Sequence, residues 1–167
     1  GPMMTQALRQ FFGDTHWEDL DYLLIDLPPG TSDIHLSLVQ LIKVTGAVIV
    51  TTPQKVALSD AQKGLQFFKQ NGINVPILGL VENMAYFTPV ELPDNKYYLF
   101  GKDGGKELAK KYFIPFLGEV PLVQAIREAG DEGKPISSQE GPVANAFQDI
   151  ASQLAQQIAI VNSKASV

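Results

Sequence analysis

The stretch DYLLIDLPPGTSD, residues 21–33, joins an apolar run to an acid and a stiff turn. Residues 21–27 are almost continuously apolar, which is typical of a strand buried on both faces of a parallel sheet. Asp26 lies near the carboxyl end of this run, and a Pro-Pro-Gly turn ending in Gly30 follows it. In open parallel α/β sheets, ligands bind beyond the carboxyl ends of the strands. The stretch therefore predicts an α/β fold with a ligand site at this turn.

The rest of the chain alternates in the same way between apolar runs and amphipathic segments. Ser32 or Asp33 is a candidate N-cap for the helix after the turn, and Ser59 for the next one. Strands that alternate with helices predict one α/β domain, 1–167, with a parallel sheet covered by helices on both faces. Residues 85–100 are expected to be irregular, with room for a short hairpin. The pattern predicts strands over 21–27, 46–53, 76–84 and 116–122, and helices over 3–12, 33–43, 60–72, 105–112 and 143–161.

The composition narrows the class of protein. The chain has 167 residues, 45% of them apolar and 19% charged, which is typical of a folded globular domain. Its net charge of −5 argues against non-specific binding to nucleic acid, which favours a basic face. The absence of cysteine excludes a disulfide framework, a thiolate zinc site and an iron–sulfur cluster held by the chain's own thiolates. No apolar run approaches the roughly 20 residues that span a bilayer, and we expect a soluble cytoplasmic protein.

The residues beyond the first predicted strand suit a site for magnesium and phosphate. Mg²⁺ prefers oxygen ligands and retains several waters, so Asp26 could hold the ion directly or through water. The prolines stiffen the turn, while Gly30 allows its backbone amide to approach a phosphate closely. A helix-capping acid followed by an ordinary Pro-Gly turn is the alternative interpretation of the same residues.

Four stretches in a fixed order resemble one family. DYLLIDLPPGTSD resembles the second magnesium-site motif of the Mrp/ApbC family, a branch of the MinD- and ParA-like P-loop ATPases. The resemblance covers the chain from about residue 1 to residue 136 and implies a P-loop NTPase fold of the MinD-like (SIMIBI) class. The other matching stretches are VIVTTPQKVALSDAQKG (48–64), GLVENMAYF (79–87) and FGKDGGKELAKKYFIPFLGEVPL (100–122), which runs into AIREAGDEGKPI (125–136).

The resemblance implies a role for particular residues. Asp26 would order Mg²⁺ and its waters, and Gly30 would belong to the loop that responds to the γ-phosphate of ATP. Asn83 matches the residue whose side-chain amide reads adenine, since an amide offers a donor and an acceptor to a base edge. Pro121 and Leu122 match the segment that packs beside the base. Weaker candidates at the ligand edge of the sheet are Thr51, Thr52 and Gln54.

Purely structural roles for these residues are the alternative interpretation. Asn83 could simply form a turn, and Pro121 could simply end a strand. His35, early in a predicted helix, is expected to face solvent.

The chain departs from the family in its phosphate-binding residues. It contains no glycine-rich loop with Gly-Lys-Ser/Thr, and GKDGG at 101–105 has the wrong order and precedes a different helix. We therefore interpret the chain as the C-terminal part of a longer ATPase without its first strand, phosphate loop and first switch. The parent is expected to be a weak Mg²⁺-dependent ATPase, and the chain alone is not expected to hydrolyse ATP. The family places the phosphate-loop strand between 21–27 and 46–52, so we expect the chain to close this gap or to self-associate.

The second departure concerns cluster binding. The family commonly carries a Cys-x-x-Cys pair after the third motif, and the corresponding positions here are Pro89 and Leu92. Proline and leucine cannot ligate iron, so an iron–sulfur cluster is doubtful as a cofactor of this chain. Glu91 and Asp94 could bind a metal instead, although solvated loop acids are the more ordinary interpretation.

The resemblance implies a function for the parent protein. It would be an ATP- and Mg²⁺-binding carrier or scaffold for iron–sulfur cluster assembly or transfer, acting as a homodimer with cluster donor or acceptor proteins. One alternative is a MinD/ParA-like positioning ATPase, whose membrane-binding form favours a basic amphipathic C-terminal helix; the helical tail QDIASQLAQQIAIVNSK carries a single lysine. The other is a non-enzymatic interaction module. The lack of cysteine favours that module, whereas the retained Asp26, Gly30 and Asn83 count against it.

Overall fold

The structure, a computed structural model, describes residues 2–89, 91–92 and 94–165. Helices and strands alternate along most of this length, as the sequence pattern predicts. Their bounds are α1 (Pro2–Gly13), α2 (Asp33–Leu41), β1 (Ala47–Thr51), α3 (Lys55–Lys69), β2 (Ile77–Glu82), α4 (Gly104–Tyr112), β3 (Phe116–Glu119), α5 (Gln124–Asp131), a 3₁₀ helix (Ile136–Ser138) and α6 (Pro142–Ala165).

The described strands form a parallel sheet in the order β1-β2-β3. Ile49 of β1 lies opposite Leu80 of β2, and Leu80 lies opposite Phe116 of β3. Because all three strands run in the same direction, their carboxyl ends meet at one edge of the sheet. Residues that follow each strand are therefore brought together even though they are far apart in the sequence.

Helices cover both faces of the sheet, which confirms the predicted α/β architecture. On one face, Ile49 and Leu80 pack against side chains of α3 and α4, including Leu65 and Leu108. On the other face, the cluster of Val81, Leu117 and Val120 packs against α5 and α6. Consecutive residues of a strand point to opposite faces, so Leu80 and Val81 serve the two cores in turn.

The predicted strand over 21–27 is wrong. These residues are not part of a strand, and β1 pairs with β2 alone among the described residues. Leu24 is 80% exposed, whereas Leu27 packs on the core beside α3. An apolar sequence becomes a strand only when a neighbour pairs with its N–H and C=O groups, and here neither β1 nor another described segment does so. The expected closing of the gap is therefore wrong as well, and self-association stays a prediction.

One helix starts well before its predicted position, and another was not predicted. α3 begins at Lys55 with Gln54 as its N-cap residue, so Ser59 lies inside the helix and is not its cap. The backbone N–H of Leu58 already donates to the C=O of Gln54 at 2.9 Å, which closes the first turn five residues earlier than expected. α5 was not predicted, because its eight residues are too short for a clear apolar period. Within the described residues, no helix is long and apolar enough to cross a membrane.

Candidate functional site

The candidate site is the edge of the sheet where the three strands end. The backbone N–H of Asn83, directly after β2, donates to the C=O of Thr51 in β1 at 2.7 Å. The N–H of Val120, directly after β3, donates to the C=O of Glu82 at 2.8 Å. These bonds extend the sheet beyond its regular strands and hold Thr52, Asn83 and Pro121 along one edge.

Asn83 is half-buried, and its carboxamide has a defined orientation. Its Oδ1 accepts a hydrogen bond from the backbone N–H of Met84 at 2.9 Å. Met84 has a φ of 53°, in the left-handed region, so the chain turns sharply where the strand ends. In the part of the chain that the structure describes, no group accepts a hydrogen bond from the NH₂ of Asn83. That NH₂ is a donor that a base edge can use.

The segment after β3 is tied to the segment after β2. The N–H of Ala85 donates to the C=O of Val120 at 3.0 Å, and the N–H of Leu122 donates to the C=O of Tyr86 at 2.7 Å. Pro121 is buried between these two bonds, and Leu122 is half-buried. The segment expected to pack beside a base is therefore fixed relative to Asn83.

An open, mainly apolar pocket lies beyond this edge. It has a volume of about 600 Å³, and Leu122 lines it together with Phe87 and Leu99. The guanidinium of Arg127 also lines it, and that group pairs with Asp131 at 2.7 Å. Arg127 has its charge balanced by this exposed pair, so the pocket offers chiefly an apolar wall.

Thr52 lies at the same edge but contributes less. Its side chain is half-buried, and its C=O accepts a hydrogen bond from the hydroxyl of Thr51 at 3.2 Å. Thr51 is buried, and Gln54 is exposed at the start of α3. Of these three weaker candidates, Thr51 is bonded to the backbone of Asn83 through its C=O, and Thr52 follows it directly.

Asp26 and Gly30 lie on the irregular segment before α2. Asp26 is exposed, and Gly30 has a φ of +91°, a conformation that side chains other than glycine rarely adopt. An exposed carboxylate suits Mg²⁺, which binds proteins through one or two carboxylates and keeps several waters. No group of three or more acidic, histidine or cysteine side chains gathers into a metal site within the described residues. Asp26 thus offers one exposed carboxylate, a donor that a hydrated magnesium ion can use.

The turn that contains Gly30 is continued by a specific helix start. Ser32 is the N-cap residue of α2, and its backbone N–H donates to Nδ1 of His35 at 3.2 Å. His35 is 4% exposed and its ring meets Phe67 edge-on, so the expectation that it faces solvent is wrong. His35 lies on the buried side of α2, where its Nδ1 accepts the hydrogen bond from the backbone N–H of Ser32.

The glycines of GKDGG, 101–105, allow close packing rather than phosphate binding. A Cβ atom at Gly104 would lie 2.8 Å from the C=O oxygen of Pro53, and one at Gly105 would lie 2.9 Å from Oε2 of Glu82. The start of α4 therefore presses against the ends of both β1 and β2. The phosphate cradle of a P-loop ATPase is not supplied by this segment.

Glu82 is a functional candidate that the sequence analysis missed. It is 1% exposed, and its Oε2 accepts a short hydrogen bond from the backbone N–H of Gly105. Burial raises the pKa of its carboxyl above the ordinary 4.5, and Glu119 and Asp103 add to this rise, while the amides of Gly105 and Lys106 oppose it. A glutamate is almost never fully buried unless it is paired, and its partner here is a backbone amide that the sequence pattern does not reveal.

The positions of the family's cysteine pair form a turn. The N–H of Leu92 donates to the C=O of Pro89 at 3.1 Å, and Leu92 is about half exposed. Across the base of this loop, Phe87 and Tyr97 exchange two backbone hydrogen bonds of 2.8 Å and form an isolated antiparallel bridge where the sequence leaves room for a short hairpin. Val90 and Pro93 lie outside the described residues. The side chains of Pro89 and Leu92 have no group that ligates iron.

Comparison with known proteins shows which family the chain belongs to. The family model of the NUBPL iron-transfer P-loop NTPases matches residues 1–155. The chain belongs to this family. It is 49% identical over 162 residues to the iron–sulfur cluster carrier protein of Synechocystis, a match that covers 96% of the chain and 45% of that protein. It is 46% identical over 165 residues to the iron–sulfur cluster transfer protein NUBPL of Dictyostelium discoideum, covering 98% of the chain and 50% of that protein.

Solved structures agree with the NUBPL-family assignment. A nucleotide-binding protein from Archaeoglobus fulgidus, solved in complex with ADP, superposes with a TM-score of 0.73 at 39% identity and covers 83% of this chain and 56% of that one. The cell-division ATPase MinD of Pyrococcus furiosus superposes with a TM-score of 0.62 at 24% identity, covering 92% of the chain and 57% of MinD, which shows the shared fold. The chain spans about half the length of the curated relatives that it matches.

Proposed function

We propose that the chain forms the adenine- and magnesium-binding half of a nucleotide-dependent iron–sulfur cluster carrier. The bonded edge of the sheet supports this proposal, because the hydrogen bonds of Asn83 to Thr51 and of Val120 to Glu82 hold together the strand ends beyond which Thr52, Asn83 and Pro121 lie. Membership of the NUBPL family and the ADP complex of the Archaeoglobus relative support it. ATP and Mg²⁺ are the proposed ligands, the iron–sulfur cluster is the cargo, and cluster donor or acceptor proteins are the proposed partners.

Each residue of the edge has a part in base recognition. The backbone N–H of Met84 fixes Oδ1 of Asn83, so the NH₂ group can donate to a ring nitrogen of adenine. Pro121 and Leu122 supply apolar surface for one side of the base. A base that presents a donor where adenine has an acceptor would leave two donors facing each other, which is costly in a half-buried site.

Asp26 and Gly30 serve the phosphate end of the nucleotide. Asp26 would orient the water shell of Mg²⁺, and Gly30 would let the backbone approach the terminal phosphate. A bound magnesium ion would neutralise part of the phosphate charge. The residues that cradle the phosphates are not among those of this chain, so we propose that hydrolysis needs residues upstream of it.

Cargo binding is proposed for the whole carrier, not for the loop of Pro89 and Leu92. The chain has no thiolate, so cluster ligands would come from other residues of the parent or of its homodimer partner. The positioning-ATPase alternative is less well supported. Phe147, Ile150 and Leu154 of α6 pack on the sheet, which occupies the apolar stripe that a membrane-binding helix would need.

Calorimetric titration with Mg-ADP tests the proposal. It is applied to this chain and to a version extended upstream to the length of its relatives. Asn83→Ala should raise the Kd for ADP about tenfold in the form that binds, which corresponds to one hydrogen bond to the base. Asn71→Ala, an exposed asparagine in the turn after α3, is the matched control and should leave the Kd unchanged. Absence of ADP binding in both forms would favour the interaction-module alternative.

A further inference from the structure

Glu82 is buried in the core of the sheet edge without a place in the proposed base or metal contacts. It is the last residue of β2, directly before Asn83, and it is 1% exposed. Taking a carboxyl group out of water is unfavourable, so a buried one that is not replaced by an apolar residue needs a compensating role. Its contacts show what that role is.

The carboxyl group of Glu82 joins β2 to α4. Its Oε2 accepts the backbone N–H of Gly105, and the backbone amide of Lys106 also lowers the pKa of the carboxyl group. Both amides belong to the first turn of α4, whose N–H groups have no partner within the helix. The glutamate therefore does for α4 what an N-cap side chain does, from a strand 23 residues earlier in the sequence. Asp103, the N-cap residue itself, makes no capping hydrogen bond.

The backbone of Glu82 is fixed at the same time. Its C=O accepts the N–H of Val120 at 2.8 Å, and the following N–H, that of Asn83, donates to Thr51 at 2.7 Å. The end of β2 is thus held toward β3, toward β1 and, through the Glu82 side chain, toward α4. Freeing the third of these contacts would let the strand end and α4 move apart.

Gly105 allows the first turn of α4 to approach Glu82 closely. A Cβ atom there would lie 2.9 Å from Oε2 of Glu82 and 2.9 Å from Cδ2 of Leu80. A Cβ atom at the neighbouring Gly104 would lie 2.8 Å from the C=O oxygen of Pro53, the residue after Thr52. The start of α4 therefore supports two of the three strand ends that form the site, and Glu82 is the side chain that fastens it.

We propose that Glu82 is a positioning residue for base recognition: it holds the first turn of α4 against the end of β2 and thereby fixes Asn83 relative to Thr52. This inference rests on the proposed function only in assigning the base to Asn83. The contact between Glu82 and α4 stands on the geometry alone, so the two are tested by separate measurements.

The first measurement is amide hydrogen exchange of Gly105 and Lys106 in this chain. Glu82→Ala should accelerate their exchange about tenfold, the effect of losing one capping interaction. Glu107→Ala is the matched control, because Glu107 is an exposed carboxylate in the first turn of the same helix. Glu82→Gln keeps the side-chain volume and should give a smaller acceleration, which keeps the test decisive if the alanine variant does not fold. Unchanged exchange in both Glu82 variants would overturn the proposal.

The second measurement is the ratio of the Kd values for GDP and ADP in the upstream-extended chain. Glu82→Ala or Glu82→Gln should lower this ratio by at least about fivefold, because a displaced Asn83 reads the base less well; Glu107→Ala should not. Accelerated exchange with an unchanged ratio would show a merely structural Glu82 and overturn the positioning role. A wild-type chain without preference for ADP would overturn the proposed function and the positioning role with it, while the exchange result would still decide the contact with α4.

Discussion

At the scale of single residues, the buried carboxyl of Glu82 makes stability depend on pH in a definite direction. Burial raises its pKa in the folded chain, so the folded state binds this proton more tightly than the unfolded state. The stabilisation is fully present below 4.5, the ordinary pKa, and is lost as the pH rises through the raised value.

The measurement is chemical denaturation of the wild-type chain and of Glu82→Gln across this pH window. As the pH rises, the free energy of unfolding of the wild type should fall relative to that of the variant. Glu107→Gln should follow the wild type, since it leaves Glu82 in place. A wild-type-to-Glu82→Gln difference that is independent of pH would contradict the account.

Asp26 carries the second prediction at this scale. Asp26→Asn removes the charge that would order Mg²⁺ while keeping the side-chain size. In the extended chain it should abolish most of the gain in nucleotide affinity that Mg²⁺ gives, about tenfold, and leave metal-free ADP binding intact. Asp19→Asn, an exposed acid in the same segment, serves as control. Equal Mg²⁺ dependence in Asp26→Asn and the wild type would remove Asp26 from the site.

At the scale of elements, most of the architecture could be predicted because periodicity reports burial. β1, β2 and β3 coincide with three of the four predicted strands, and α6 matches the apolar period of the tail. The prediction of a strand over 21–27 was wrong, because periodicity indicates which side chains are buried and not which strand will pair with them. α5 was not predicted, because a helix of eight residues has little more than two turns in which an apolar period can be seen.

The family resemblance, rather than the apolar pattern, named Asn83 and Pro121 as site residues. The structure places both just beyond strands that end at one edge of the sheet, and their binding of a base stays a prediction. Glu82 was missed because its partner is a backbone amide of Gly105, and no pattern of side chains in the sequence announces such a contact. The order of the glycines in 101–105 was compared only with a phosphate motif, which it does not match. In the structure, Gly104 and Gly105 allow the start of α4 to lie close to Pro53 and Glu82.

α6 carries the prediction at the element scale. Phe147 packs on the cluster of Val81, Leu117 and Val120 from a half-buried position. Phe147→Ala should therefore lower the free energy of unfolding by about 2–3 kcal/mol, somewhat less than for a fully buried phenylalanine. Ile160→Ala, near the exposed end of the same helix, should change it by less than about 0.5 kcal/mol. Thermal or urea unfolding of both variants measures the difference; similar effects would mean that the stripe of α6 is not docked on the sheet.

At the scale of the whole molecule, two features that precede α3 in the chain favour association with other copies. One is the group of exposed apolar side chains within residues 20–24. The other is the edge of β1 that pairs with no described strand; Val50 of this strand is 61% exposed. Unpaired strand edges and exposed apolar patches favour association with other chains. The chain alone should sediment partly as dimers or larger species, and Leu24→Lys should shift it toward the monomer. A wild-type chain that is monomeric at all accessible concentrations would contradict this prediction.

We expect adenine to be read at the edge of the sheet that carries Thr52, Asn83, Pro121 and Leu122. Amide NMR spectra of the extended chain, recorded with Mg-ADP and with Mg-GDP, test it most directly. We expect the side-chain amide of Asn83 and the backbone amides of Thr52 and Leu122 to shift with ADP, and to shift less with GDP at equal concentration. Shifts confined to other parts of the sheet, or equal shifts with both nucleotides, would contradict the account.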